Sequence, residues 1–388
     1  MPPTFNLLVR NGLGNRIRVV LTILVIAIAV IAFGLLQTAI RAYHIGVEAS
    51  APDRLVTRHN VSLMFSLPLA YRQQIRGIAG VEQVACGNWF GGYFQDEKNF
   101  FAQFAVDDTY LKLYPEFLLT DAERAAWKSE RTAAVVGEKL ARRFGWSLGD
   151  RVTLTGTIFP GNWEFTIRGI YRGRDRTTDT TAMFFHWDYL NEWLKENTSS
   201  RDIAGWFVLK IADPGRSAPI SESVDAMFEN STAQTLTETE AAFQQSFISM
   251  LGAIIAAIQI VSFVMVVIVL MVMANTMMMA ARERLTQIAV LKTLGFTRGH
   301  LAAVITGEAI FIALVGATVG IGMAYPIIDG FGVVLEANLG SFFPVFELGP
   351  DTVLAAIALC LLCGLLASIA PLIGALRTPI ANALRKVN

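Results

Sequence analysis

Cysteine, histidine and charge are all scarce in this chain, and each scarcity excludes something. Only three cysteines occur in 388 residues. Cys86 stands alone in a polar stretch and Cys360 and Cys363 fall in an apolar run, which rules out a disulfide framework. The four histidines, His44, His59, His186 and His300, are scattered, and no H-E-x-x-H spacing brings two of them to one helix face, so no metal-ligating set is expected. No G-x-x-x-x-G-K-[ST] occurs. The glycines from Gly87 to Gly92 lack the Lys and Ser/Thr that would hold phosphate and magnesium, so the chain has no phosphate cradle of its own. No G-x-S-x-G nucleophile turn is present either. Charged residues make up 16% of the chain, against about 25% in soluble domains. Hydrophobic residues reach 53% and the mean hydropathy is +0.47, the balance of a membrane protein. The net charge of +0 is uninformative, and placement of charge matters instead.

A spanning helix needs about 20 mostly apolar residues. Four segments meet that requirement: residues 17–40, 247–279, 301–328 and 352–376. The second is too long, since about 50 Å of helix at about 1.5 Å per residue exceeds a hydrocarbon core of about 30 Å. Its excess is expected as a stalk continuing upstream through Thr235 to Ser246. A matching stalk is expected from Arg41 to Ala49, before Pro52. Gln37-Thr38-Ala39 is a poor cleavage site and the first apolar run is long, so a retained anchor is expected rather than a signal peptide.

Lys and Arg flanks set the orientation. Arg10, Arg16 and Arg18 precede the first span; Arg282, Arg284, Lys292 and Arg298 lie between the second and third; Arg377, Arg385 and Lys386 follow the fourth. The stretch from Asp329 to Asp351 carries Glu336 and Glu347 but no Lys or Arg. Both termini and the basic loop are expected in the cytoplasm. The large middle region and the acidic loop then lie outside, in a multi-pass protein of the cytoplasmic (inner) membrane. The expected divisions are a cytoplasmic amphipathic N-terminus (1–16), a first span with stalk (17–49) and an extracytoplasmic domain (50–240). A stalk with the second span (241–281), a cytoplasmic coupling helix (282–300) and a third span (301–328) follow. A short outer loop (329–351), a fourth span (352–376) and a cytoplasmic tail (377–388) complete the chain.

Between the first two spans the pattern mixes periods. Residues 55–58, 80–84, 100–106, 151–154 and 163–171 read as strands, and 68–76 and 138–144 as short helices. The fold class that follows is an α-helical membrane protein with four transmembrane helices. A large α+β extracytoplasmic domain is inserted between helices 1 and 2.

Residues 280–296, AARERLTQIAVLKTLGF, form a basic amphipathic stretch between two spans. Glu283-Arg284, Ile288, Val290 and Gly295 resemble the ER-x-x-EIG-V-x-x-x-x-G signature of MacB/FtsX-type ABC permeases, with Gln287 in place of the usual Glu and Ala289 in place of the usual Gly. The order of Val135-Val136-Gly137, Leu148-Gly149-Asp150 and Phe165–Ile170 is similar to the MacB-type periplasmic core domain. Arg10-Asn11, Arg16, Arg18, Leu21-Thr22, Pro371, Arg377, Pro379 and Ala383-Leu384-Arg385 match the same family. The resemblance covers nearly the whole chain.

It implies a permease subunit without catalytic residues, binding no cofactor itself, with ATP and magnesium on two copies of a partner ABC ATPase. A second permease copy or a paralogue would complete the assembly. The resemblance further implies mechanotransmission, in which ATPase closure pushes the 284–294 helix and the outer domains move. The expected ATPase-coupling residues are Glu283, Arg284, Gln287, Ile288, Leu291, Lys292 and Gly295. The outer task stays open between export through a periplasmic adaptor and outer-membrane channel, extraction of lipids or lipoproteins, and regulation of a cell-wall hydrolase. The lipid bilayer is a partner, and nothing points to nucleic acid.

Small residues Gly316, Gly320 and Gly322, and Gly364 with Ser368, have the spacing that lets helices approach closely. They fit packing within one chain or a dimer seam equally well. Met265, Met271, Met273 and Met277–Met279 read as gap-filling core. Asn275 and Glu308 are the remaining polar residues near membrane depth, and no lane of acids crosses the spans.

Overall fold

Helix α1 (Arg16–Glu48) opens the portion of the chain seen in a computed structural model, which describes residues 16–48, 50–198, 201–250, 252–283, 285–339 and 345–377. There follow β1 (Arg54–His59), β2 (Leu67–Pro68), α2 (Tyr71–Arg76), β3 (Val81–Trp89), β4 (Gly92–Tyr93), β5 (Gln103–Val106), α3 (Tyr110–Leu113) and β6 (Phe117–Leu118). Next come α4 (Asp121–Ser129), β7 (Ala133–Gly137), α5 (Glu138–Phe144), β8 (Arg151–Gly156), β9 (Gly161–Gly173), β10 (Met183–His186), α6 (Trp187–Asn197), β11 (Ile203–Ala204) and β12 (Trp206–Ile211). The chain closes with α7 (Ser217–Phe228), β13 (Thr235–Thr239), α8 (Glu240–Met250), α9 (Gly252–Glu283), α10 (Leu285–Thr293), α11 (Arg298–Leu339) and α12 (Pro350–Arg377).

Two units separate by their internal contacts: residues 1–40, 252–331 and 347–388 form one, and 41–251 with 332–346 the other. The second unit holds a mixed sheet ordered β13-β1-β12-β3-β5-β10-β7-β9-β8-β4, with β6 on β9 and a separate β11–β2 pair. Most neighbours are antiparallel; β5–β10 and β7–β9 are parallel. β7, Ala133–Gly137, is buried at every residue, which suits a continuous apolar run covered on both faces. Its side chains alternate. Ala134 and Val136 join a cluster around Phe90, Phe165 and Phe185, while Ala133 and Val135 join Tyr110, Trp127, Tyr171 and Phe184 on the other face. Only glycine fits at Gly137, the last residue of β7, because a Cβ there would collide with the Thr180 carbonyl. A third cluster, with Leu55, Tyr71, Phe207 and Phe228, fills the end of the sheet near β1. The short helix expected over 138–144 is α5, with the same bounds.

In the first unit, Ile17–Ala42, Gly252–Glu283, Arg298–Leu335 and Pro350–Leu376 are long and apolar enough to cross a membrane. Ile26, Val30, Met273, Ile312, Ala313, Cys360 and Cys363 pack at its centre. Two sequence expectations need correction. Thr235–Thr239, read as part of a helical stalk, is a strand paired with β1, and helix begins only at Glu240. Its alternation of Thr with Leu236 and Glu238 is a strand period. The region from Asp329, read as a loop, stays helical to Leu339, making α11 42 residues long and about 63 Å at about 1.5 Å per residue. Val333, Val334 and Leu335 continue the helix past Gly330 and Gly332, and Pro326 is accommodated inside it.

Candidate functional site

The candidate coupling segment is built from a helix stop and two latches. Glu283 is the last residue of α9; Arg284 lies outside the described residues. α10 ends at Thr293, and Gly295 adopts a left-handed φ of +86°. The Gly295 N–H donates to the Lys292 carbonyl at 3.2 Å and the Phe296 N–H to the Leu291 carbonyl at 3.1 Å. This paired pattern is the Schellman termination, which satisfies the last carbonyls of a helix and favours glycine at that position. Thr297 then starts α11: its carbonyl accepts from the Leu301 N–H at 3.2 Å, and its hydroxyl lies 2.7 Å from His300 Nδ1.

Arg18 of α1 forms a two-pronged pair with Glu283, Nη1 to Oε2 at 2.9 Å and Nη2 to Oε1 at 2.5 Å. Deeper along the same two helices, the Thr22 hydroxyl meets Thr276 at 3.3 Å. Lys292 Nζ donates to the carbonyls of Ala375 at 2.8 Å and Leu376 at 3.4 Å, the end of α12. Terminal carbonyls have no partner within their own helix, so a cation is favoured there by hydrogen bonding and by the helix dipole. Because the Glu283 side chain is 53% exposed, its pair with Arg18 adds at most about 1 kcal/mol. What these contacts supply is orientation: α1 to α9 at one latch, α10 to α12 at the other.

Exposure separates the two sides of α10. Ala289 is buried, and Ile288, Leu291 and Lys292 are half-buried. Gln287 is exposed with Val290 (45%), Leu294 (70%) and Phe296 (40%). The face left open is therefore Gln287, Val290 and Leu294, at helical spacing, rather than the stripe through Ile288 and Leu291. Leu294 and Phe296 were missed as candidates. Their signal was present in the sequence, two large apolar residues flanking the terminating glycine.

The small residues meet neighbours within the chain. A Cβ on Gly316 would lie 2.7 Å from Ile26, and one on Gly320 2.9 Å from the Ala27 carbonyl, both on α1. Gly364 faces Ala309 and Ala313 of α11, and the Ser368 hydroxyl lies 3.4 Å from Thr306. Gly322 has open space around it. Met273 and Met277 are buried core, whereas Met271, Met278 and Met279 are exposed. Glu308 is half-buried.

Comparison with known proteins agrees with both units. The family model of the MacB-like periplasmic core domain matches residues 19–227, more than half of the chain, and that of the FtsX-like permease C-terminal region matches 259–380. The chain is 28% identical over 243 residues to the macrolide export ATP-binding/permease protein MacB of Shewanella sp. (strain W3-18-1). That alignment covers 59% of this chain and 35% of the relative, so the chain spans about a third of the curated protein it matches. Among solved structures, the periplasmic region of MacB from Actinobacillus actinomycetemcomitans is 10% identical, covering 52% of this chain and 95% of that one, with a TM-score of 0.37. The extracellular domain of the ABC-type transporter YknZ from Gram-positive bacteria is 12% identical, covering 48% and 98%, with a TM-score of 0.36.

Proposed function

The chain belongs to the MacB/FtsX-type permeases, and from that premise we propose that it is the membrane subunit of an ABC transporter driven by a separate ATPase. In this reading the α+β domain is an extracytoplasmic insert between the first and second spans, and both termini and α10 are cytoplasmic, as the Lys/Arg flanks favour. The sequence lacks a phosphate-binding loop, so ATP and magnesium sit on the partner. Two ATPase copies and a second permease, identical or related, complete the assembly. Export or extraction from the outer leaflet proceeds by mechanotransmission, with no polar lane through the spans to carry a substrate.

The observation that carries the reading is the form of α10. A short helix with a fixed stop, latched to the end of α12 through Lys292, leaves an apolar face of Val290, Leu294 and Phe296 open. Docked in a groove of an ATPase, such a face would hand a push to the helices beside it. A helix merely resting on lipid would show the same face, and the two differ in their response to a long cation. Leu294→Arg can snorkel at a lipid interface and suits a helix C-terminus, but leaves an unpaired charge in a protein groove. The expected result is a folded, inserted Leu294→Arg chain that no longer co-purifies the ATPase or supports its stimulated hydrolysis. Normal assembly and turnover in that variant would remove α10 from the coupling role. ATP hydrolysis by the purified permease alone would refute the division of labour.

A further inference from the structure

Arg54, the first residue of β1, is buried, with 4% of its surface exposed, and three of its nitrogens donate to acceptors on two other segments. Nε donates to Glu240 Oε2 at 2.7 Å, Nη2 to Glu116 Oε1 at 2.6 Å, and Nη1 to the Leu113 carbonyl at 3.1 Å. The guanidinium lies over the Tyr114 ring, 4.2 Å from its centroid, and Tyr114 stacks on Tyr110 at 4.8 Å. Burial pushes the Tyr110 phenol up to about 12 and raises that of Tyr114 as well, so both stay neutral walls of the site. Glu240 is 6% exposed, and the oxygen that meets Arg54 also accepts the Ala51 N–H at 3.2 Å.

The placement of these groups is specific. Ala51 lies just beyond the end of α1, and Glu240 opens α8, which runs toward α9. The last rung between β1 and β13 is Leu55 with Thr239. Arg54 and Glu240 therefore sit one rung further, where both strands give way to the segments by which the chain enters and leaves the sheet. One carboxylate oxygen joins those two segments, and Arg54 ties both to the loop between α3 and β6. Lysine could not do this, because a single ammonium lacks the planar fork that reaches three separate acceptors. Buried ion networks are poor sources of stability compared with apolar packing, and their better-attested use is to fix one geometry among several. The apolar clusters of the sheet already account for its core without Arg54.

We propose that Arg54 is a positioning residue of the transport cycle, which with Glu240 and Glu116 locks the segment after α1 and the segment before α9 to the body of the α+β domain. The domain then follows both segments as one piece. This role rests on the permease reading above, but the lock can be measured without it.

The test uses the full-length chain in lipid nanodiscs with nitroxide labels on cysteines introduced at Glu82, exposed on β3, and Gln245, exposed on α8. The native Cys86, Cys360 and Cys363 are all buried. Pulsed electron-spin measurements on this pair should give one narrow distance. Glu240→Gln keeps the shape and removes the charge, and should add a second distance or clearly broaden the first. Arg54→Lys should do the same. Glu116→Gln, whose side chain is the more exposed of the two acids, 22% against 8% for the Glu240 side chain, should broaden the distance less, and it carries the test if Glu240→Gln fails to insert. A residue that merely stabilises would lower the melting temperature and leave the distance width unchanged. Wild-type widths in both Glu240→Gln and Glu116→Gln would overturn the proposal. No nucleotide or partner is needed, so failure to assemble with an ATPase would remove the ATPase-driven reading and leave the lock to be judged on its own distances. In the assembled complex, Glu240→Gln should keep ATP turnover and lose nucleotide-driven displacement of the Glu82 label, and unchanged displacement would overturn the role in transport.

Discussion

The carboxylate of Glu130, at the end of α4, accepts from the Thr132 hydroxyl at 2.8 Å, the Thr166 hydroxyl at 2.9 Å and Arg168 Nε at 2.6 Å. The Thr132 hydrogen bond first, then Arg168, holds its pKa below the ordinary 4.5. As pH falls, the unfolded chain takes up this proton before the folded chain does. The stability Glu130 contributes is therefore complete above about 4.5 and disappears as pH drops through the lowered folded value. Asp107 moves the other way: burial pushes its carboxyl up, against the pull of Arg72 and of three backbone donors. A wild-type acid-unfolding curve mixes the two, so the informative quantity is a difference. Thermal unfolding of the full chain followed by tryptophan fluorescence should show Glu130→Gln less stable than wild type at neutral pH. The gap should close as pH falls below the carboxylate range. A gap independent of pH would mean that Glu130 acts through shape rather than charge.

Helix packing in the first unit depends on which glycines face a backbone. At Gly320 a Cβ would lie 2.8 Å from Val30 Cβ and 2.9 Å from the Ala27 carbonyl oxygen, atoms that no rotamer change can move. At Gly322, two residues on, nothing lies within 4 Å. Gly320→Ala should lose about 1–3 kcal/mol by forcing α1 and α11 apart, while Gly322→Ala should be neutral or gain slightly from helix propensity. Unfolding in mixed micelles measures both, and equal effects would place the close contact elsewhere. The spacing of Gly316 and Gly320 was legible in the sequence, but not the partner, since Ile26, Ala27 and Val30 lie far back in the chain. The same limit governed α10. Its end was readable at Gly295, because a left-handed stop is a local property. Its exposed side was not, because Lys292 finds its acceptors at Ala375 and Leu376, 83 and 84 residues away. The strand Thr235–Thr239 is hard to tell from the helix that follows it for a related reason: its partner β1 is about half the chain away.

For the whole molecule, long apolar runs and Lys/Arg placement were legible from composition alone, whereas the sheet order and the Arg54–Glu240 pair, 186 residues apart, depend on contacts that no local pattern carries. Orientation is an expectation that rests on the Lys/Arg placement, and it is open to direct test. Every short flank agrees: basic residues adjoin the α9–α11 turn through Arg282, Lys292 and Arg298, while the stretch from Asp329 to Asp351 has acids and no Lys or Arg. Positive flanks are retained in the cytoplasm with little regard to acidic residues. Single cysteines at Glu82 and Asp351 should therefore react with a membrane-impermeant thiol reagent in intact cells whose outer barrier has been opened. A cysteine at Thr293, exposed at the end of α10, should react only after the inner membrane is broken. All three positions are exposed on the protein, so protection reports the membrane rather than burial. Labelling at Thr293 in intact cells with protection at Glu82 would invert the chain, place α10 out of reach of any cytosolic ATPase, and end the coupling mechanism with it.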